Sequence, residues 1–150
     1  MIKNILVAHD GSAYGKAAVE YAVWLARALG ASVTGLYVVD IVALEGPFLH
    51  DISASIGFEP FLDFSSKMKS ALEEKGASIM AWAKERCAEA GVPFEGRVTT
   101  GIITNEICGK AKLNDLVIAG RRGINERFEY GLLGSTTEAL IRRSPKPVLM

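Results

Sequence analysis

The sequence predicts an α/β domain built on a doubly wound, five-stranded parallel sheet with helices on both faces. Three observations carry this reading. Along the chain, apolar residues switch between short continuous runs and helical spacing, as strands and helices do when they alternate. The short runs are continuous rather than alternating, which fits strands covered on both faces. Breakers mark the junctions, among them Asp10-Gly11-Ser12, Gly30, Gly91 with Pro93, and Gly134-Ser135.

The elements follow in order. Ile5-Leu6-Val7-Ala8 is a central strand, and Ser12 after it is placed to cap a helix. Ala18, Tyr21, Ala22, Leu25, Ala26 and Leu29 recur at helical spacing, so this stripe is expected to face the sheet, with Gly30 closing the helix. Val33 to Val39 forms the second strand. Residues 41–62 show no clear period: Gly46-Pro47, Gly57 and Glu59-Pro60 interrupt many apolar side chains, so a variable insert is expected there, partly ordered as a flap or subunit contact. A long helix from Phe64 to Ala90 places Met68, Leu72, Ile79, Ala83 and Cys87 on one stripe. A strand at Phe94–Thr99, a short helix at Thr104–Leu113 and a strand at Leu116–Ala119 come next. The last helix starts at Ser135 and the last strand at Val148. With right-handed crossovers, this order winds into one doubly wound sheet.

Composition limits the function. The chain of 150 residues, 49% hydrophobic, suits a single domain over 1–150. Lysine plus arginine and aspartate plus glutamate are 17 each, so the basic excess of a polyanion-binding protein is missing and no nucleic-acid partner is expected. No apolar stretch approaches the ~20 residues of a membrane helix, and the first residues do not read as a signal peptide. A cytoplasmic protein with no membrane partner is the expectation. Cys87 and Cys108 are far apart and read as buried free thiols, while His9 and His50 are lone histidines, so no metal site of protein ligands is expected.

The informative segment follows the fourth strand: Gly120-Arg121-Arg122-Gly123, ten residues, then Gly134-Ser135-Thr136. In a doubly wound sheet, ligands sit beyond the carboxyl ends of strands where the winding reverses. Gly120 and Gly123 are expected to curl with positive φ and approach a ligand closely. The N–H groups and dipole at the start of the last helix attract phosphate. A structural alternative stands beside this: Ser135-Thr136-Thr137-Glu138 fits a capping box that satisfies the helix start without any ligand. Gly11-Ser12-Ala13-Tyr14-Gly15-Lys16-Ala17 is not a P-loop, because its glycine spacing is short and an alanine replaces the metal-binding hydroxyl.

As a whole, the Asp10 segment, the Gly120/Gly123/Gly134-Ser135 pattern and the tail Arg143-Ser144-Pro145-Lys146-Pro147-Val148-Leu149 resemble the universal stress protein family, in its ATP-binding subgroup. The resemblance covers nearly the whole chain outside 41–62. It implies a Rossmann-like fold that binds an adenine nucleotide (ATP, or ADP or AMP), with Mg²⁺ held by the phosphates. It places Ala8, Asp10 and Val38 around the adenine, and Ala119 and Gly120 at the ribose and first phosphate. Gly123, Gly134, Ser135 and Thr136 would hold the phosphates. The spacer from Gly123 to Gly134 is one residue longer than the family pattern, which Gly131 absorbs as a turn or which displaces the loop. Arg121 and Arg122 either fork onto phosphate or stand solvated, the second being the preferred reading. The resemblance also implies a homodimer through the last strand, with the 41–62 segment adding contact area.

Three functions follow from different classes: a nucleotide-binding stress-response module, a slow ATPase, and a nucleotide-free adaptor of the same fold. The first is preferred. Phosphoryl transfer needs metal ligands and a residue that positions the nucleophile, and the site offers candidates only for cationic stabilisation. No catalytic residue is therefore assigned.

Overall fold

A computed structural model describes residues 1–45, 58–124 and 131–150, with side chains described outside 45 and 58–64. The elements are β1 (Asn4–Ala8), α1 (Ala13–Leu29), β2 (Ser32–Asp40), α2 (Ile41–Glu45), α3 (Phe58–Glu89), β3 (Phe94–Gly101), α4 (Ile103–Ala111), β4 (Leu116–Ala119), α5 (Ser135–Arg143) and β5 (Val148–Leu149). All strand pairs are parallel, in the order β3-β2-β1-β4-β5. The doubly wound sheet read from the sequence is present, and its winding reverses between β1 and β4.

Both sheet faces are covered, which explains the continuous apolar strands. Ile5, Val7, Val33, Leu116 and Ile118 pack under α1 and α3, joined by Ala22, Ala26, Ala83 and Cys87. On the other face Leu6, Leu36, Val117 and Ala119 meet Ile107 and Ala111 of α4 and Leu140 of α5. Cys87 is a buried free thiol, pushed up to about 11 by burial and then by the charge of Glu20. Cys108 is half-buried against the second core. No helix among the described residues is long and apolar enough to cross a membrane.

Three features differ from the sequence reading. Helix α3 begins at Phe58, six residues before Phe64. Pro60, taken as a loop marker, lies in its first turn, where a missing N–H costs nothing. The start of the expected insert is also regular: α2 occupies Ile41–Glu45, and Leu44 is buried against Tyr37, Val39 and Met80. The rest of the insert, residues 46–57, lies outside the described residues, and His50 with it. In α1 the buried set is Gly15, Ala18, Val19, Ala22, Val23 and Ala26. Tyr21 and Leu29, expected inside, are exposed. The helix is apolar around most of its circumference, so period alone does not fix which stripe faces in, and Val19 and Val23 join the core under the sheet.

Candidate functional site

At the carboxyl edge of the sheet, the loop after β1 and the loop after β4 meet at the point where the winding reverses. Gly11 has φ 90, a left-handed conformation that glycine adopts without strain. This turn lets Asp10 fold back on its own backbone. Asp10 Oδ1 accepts from the Ser12 N–H at 2.9 Å and from the Ser12 hydroxyl at 2.5 Å. The same hydroxyl oxygen accepts from the Gly15 N–H at 3.1 Å, so Ser12 caps α1 as expected.

Asp10 also reaches across the site. Its Oδ2 accepts from the Ile124 N–H at 3.0 Å, tying the β4 loop to the β1 loop. A carboxylate oxygen carries two lone pairs, so Oδ2 retains room for one donor from a ligand.

Gly120 and Gly123 are required, though not by positive φ as the sequence reading expected: neither adopts one. A Cβ on Gly120 would lie 2.7 Å from Tyr14 Cβ and 3.0 Å from the Tyr14 carbonyl carbon. A Cβ on Gly123 would lie 2.6 Å from Asp10 Oδ2. Both glycines admit protein rather than ligand, letting α1 and Asp10 approach the loop.

The far end of the loop is also tied. The Gly134 N–H donates to the Arg121 carbonyl at 2.9 Å, and the Thr137 hydroxyl donates to the Gly120 carbonyl at 2.7 Å. The Arg122 guanidinium donates to the Gly131 carbonyl at 2.6 Å, which corrects the solvated reading of that side chain: it braces the loop. Arg121 is exposed. Gly131, named as the residue that absorbs the longer spacer, has φ 110, as a turn there requires; residues 125–130 lie outside the described ones.

The start of α5 differs from the capping box. Gly134 is the N-cap, with φ −70 and ψ 155, and as a glycine it contributes no side-chain cap. Ser135 lies one position inside the helix, and Glu138 pairs with Arg142 instead of turning back. Backbone N–H groups at Ser135, Thr136 and Thr137 thus form the helix's positive end at the sheet edge. Thr136 is half-buried and the Ser135 side chain exposed.

Ala8, Val38 and Ala119 belong to one sheet face: Ala8 stands beside Leu36 and Ala119 in register, and Val38 lies two residues further along β2. Ala8 and Val38 are half-buried against the Leu6–Ala119 core, leaving apolar surface at the edge where a flat ring can rest. The residues read from the sequence therefore converge from β1, β2, β4 and α5.

The sequence reading missed His9 and Thr137. His9 is 3% exposed, its ring edge-on to Trp82 at 5.6 Å. Its Nδ1 accepts from the Gly11 N–H at 3.0 Å, which places the ring proton on Nε2 and braces the Asp10 turn from below. Burial lowers its pKa; Asp10 opposes this and Lys16 adds to it. Tyr37 is raised by burial and then by the Asp10 charge. Neither role could be read from the motifs these residues stand in, because each acts through a contact that the sequence does not display.

Sheet order and switch-point loops define a doubly wound domain with a nucleotide-binding fold. The family model described as universal stress protein family matches residues 1–150. The chain belongs to the universal stress protein family. A universal stress protein of Synechocystis is 31% identical over 157 residues, covering 99% of this chain and 55% of its own length. One from Bacillus subtilis is 31% identical over 152 residues, covering 100% of this chain and 99% of its own. Among solved structures, a universal stress protein from Lactobacillus plantarum superposes with TM-score 0.80 at 27% identity, covering 99% of this chain and 96% of that one. Two more distant structures share the fold: an Arabidopsis thaliana family protein with AMP bound (TM-score 0.66, 20% identity, 98% and 89% covered) and a universal stress protein in complex with cAMP (TM-score 0.63, 22% identity, 99% and 94% covered).

Proposed function

We propose that this chain binds an adenine nucleotide, ATP in the first instance, across the carboxyl ends of β1, β2 and β4, and acts as a regulatory module rather than a catalyst. The observation that carries this is the start of α5 at Gly134, whose first-turn N–H groups lie at the sheet edge where the winding reverses, on a loop fixed by Asp10, Arg122 and Thr137. The adenine would rest on Ala8 and Val38, with Asp10 Oδ2 accepting from the base or the ribose, and Ala119 and Gly120 beneath the ribose. The phosphates would meet the N–H groups of Ser135 and Thr136. That the fold holds AMP in one protein and cAMP in another supports an adenine ligand. Among the described residues no three acidic, histidine or cysteine side chains cluster, so a Mg²⁺ would be carried by the phosphates.

At roughly −0.3 kcal/mol per heavy atom, some ~30 atoms give about −9 kcal/mol, or affinity near micromolar. Any ATP hydrolysis is expected well below ~1 s⁻¹, since Asp10 is engaged at the nucleoside end and Glu138, the acidic residue in the first turn of α5, is paired with Arg142. Mass spectrometry of small molecules released from heat-denatured protein tests the reading directly. Adenine nucleotide at near-stoichiometric yield supports it. Protein that is purified empty and gives no heat with ATP, ADP, AMP or cAMP supports the adaptor.

The same proposal includes a cytoplasmic homodimer. Strand β5 pairs with β4 through Val148 and Leu149, and its outer edge is bare among the described residues. Bare edges template pairing, and two-fold pairing of this strand fits the preference for isologous dimers. Light scattering at tens of micromolar should give a dimer for the whole chain and a loss of mass for one lacking residues 148–150. A monomer in both cases would contradict it.

A further inference from the structure

Helix α1 carries a second apolar stripe that the fold does not bury. Opposite its core-facing residues, Ala17, Tyr21, Trp24 and Ala28 all face solvent, with Tyr21 64% and Trp24 67% exposed. Their spacing places them on one line along the helix. A solvent-facing helix surface is ordinarily polar. Adjacent exposed aromatics flanked by alanine have instead the composition of an interface centre.

The line reads the same in both directions: small, aromatic, aromatic, small. When two such helices pack antiparallel about a two-fold axis, Ala17 of one stands opposite Ala28 of the other, and Tyr21 stands opposite Trp24. The alanines permit close approach, and the rings fill the centre. Charge agrees with the same register. Glu20 and Arg27 are exposed on one flank of the stripe, and the two-fold brings each Glu20 beside the second copy's Arg27. Arg86 already holds the Glu20 carboxylate at 2.8 and 3.0 Å, so that group is ordered before any contact forms.

We propose that this face of α1 is a self-association surface that pairs antiparallel with the same face of a second copy. The two rings offer roughly 250 Å² per copy. With the alanines, the contact totals on the order of 700 Å², below the ~1,200 Å² of stable interfaces. It is therefore a weak contact, formed at high concentration or between molecules already joined elsewhere.

Cysteine pairing reads the register. In a Cys108→Ser background, mass-tagged Ala17→Cys and Ala28→Cys chains are mixed at about 200 µM under mild oxidation; Cys87 is fully buried. The mixed disulfide should form at least tenfold faster than either variant's self-disulfide. Like positions sit about 16 Å apart along the paired axes at ~1.5 Å per residue, beyond the ~7 Å reach of a disulfide. Adding Trp24→Glu to both chains should abolish the mixed product while circular dichroism and the melting midpoint stay unchanged, as befits an exposed site. Self-disulfides as fast as the mixed one, no mixed product, or a mixed product that survives Trp24→Glu would each overturn the proposal.

Discussion

Two helices start at the same edge of the sheet, and they start differently. Helix α1 is closed by its own chain: Ser12 caps it, Asp10 orients Ser12, and His9 supports the turn. Helix α5 opens on a glycine that brings no side chain to its first turn. The first start is satisfied by local side chains, whereas the second begins on a buried glycine held in place by a braced loop. The first half of the edge is built to hold still, and the second half is where the proposed phosphates would bind.

Asp10 serves both halves, so its loss should have the largest effect. Asp10→Ala removes three hydrogen bonds to a charged group. With hydrogen bonds to charged groups worth ~1.5–3 kcal/mol each and the freed donors partly solvated, we expect about 2–3 kcal/mol lower stability in urea unfolding. ATP affinity should fall at least a hundredfold by titration. A variant that melts like the parent and binds like it would dissolve the link between the loops.

Gly15→Ala breaks the architectural half by crowding. Its Cβ would lie 2.3 Å from His9 Nδ1. Alanine ordinarily favours a helix, yet here overpacking should cost ~1–3 kcal/mol. A gain in the urea midpoint would show that the turn yields easily and is not a fixed brace.

Ser12→Ala removes the cap of α1 and should cost about 1 kcal/mol. Nucleotide affinity should stay within a few fold, because the ligand-facing N–H groups belong to α5. A large loss of affinity with little loss of stability would place the ligand at α1 instead.

The smallest effect is that of pH. His9 has a folded pKa below its ordinary 6.5, chiefly through burial. The unfolded chain therefore takes up its proton first as pH falls, and stability from this group is full at higher pH and declines as pH drops through about 6.5. Unfolding midpoints at about pH 7.5 and pH 5.5 should differ by more in the parent than in His9→Gln. Equal slopes would mean that His9 is solvated in the folded protein.

Much of this architecture is legible in the amino-acid sequence, for physical reasons. Strands covered on both faces must be continuous apolar runs, so β1, β2 and β4 can be read directly. Ser12 and Gly30 announce the ends of α1 because capping is local chemistry. What cannot be read depends on contacts distant in sequence. The Ile124 N–H meets Asp10 across 114 positions, and nothing near either residue signals it. The requirement at Gly120 and Gly123 is visible as glycine, but its cause is not, because which atoms approach a missing Cβ is set by packing. Pro60 misleads for the opposite reason: a breaker inside a helix is harmless in the first turn.

The central claim is that phosphate binds at the helix start at Gly134, and Gly134→Asp tests it most directly. Its φ of −70 suits any residue, and a carboxylate at this buried position would set a fixed negative charge at the positive end of the helix. The same carboxylate would occupy the N–H groups and repel phosphate. Calorimetric titration of ATP into the parent and the variant should show near-micromolar binding in the first and at least a hundredfold loss in the second, with circular dichroism showing the variant folded. Equal ATP affinity in a folded Gly134→Asp protein would contradict the account.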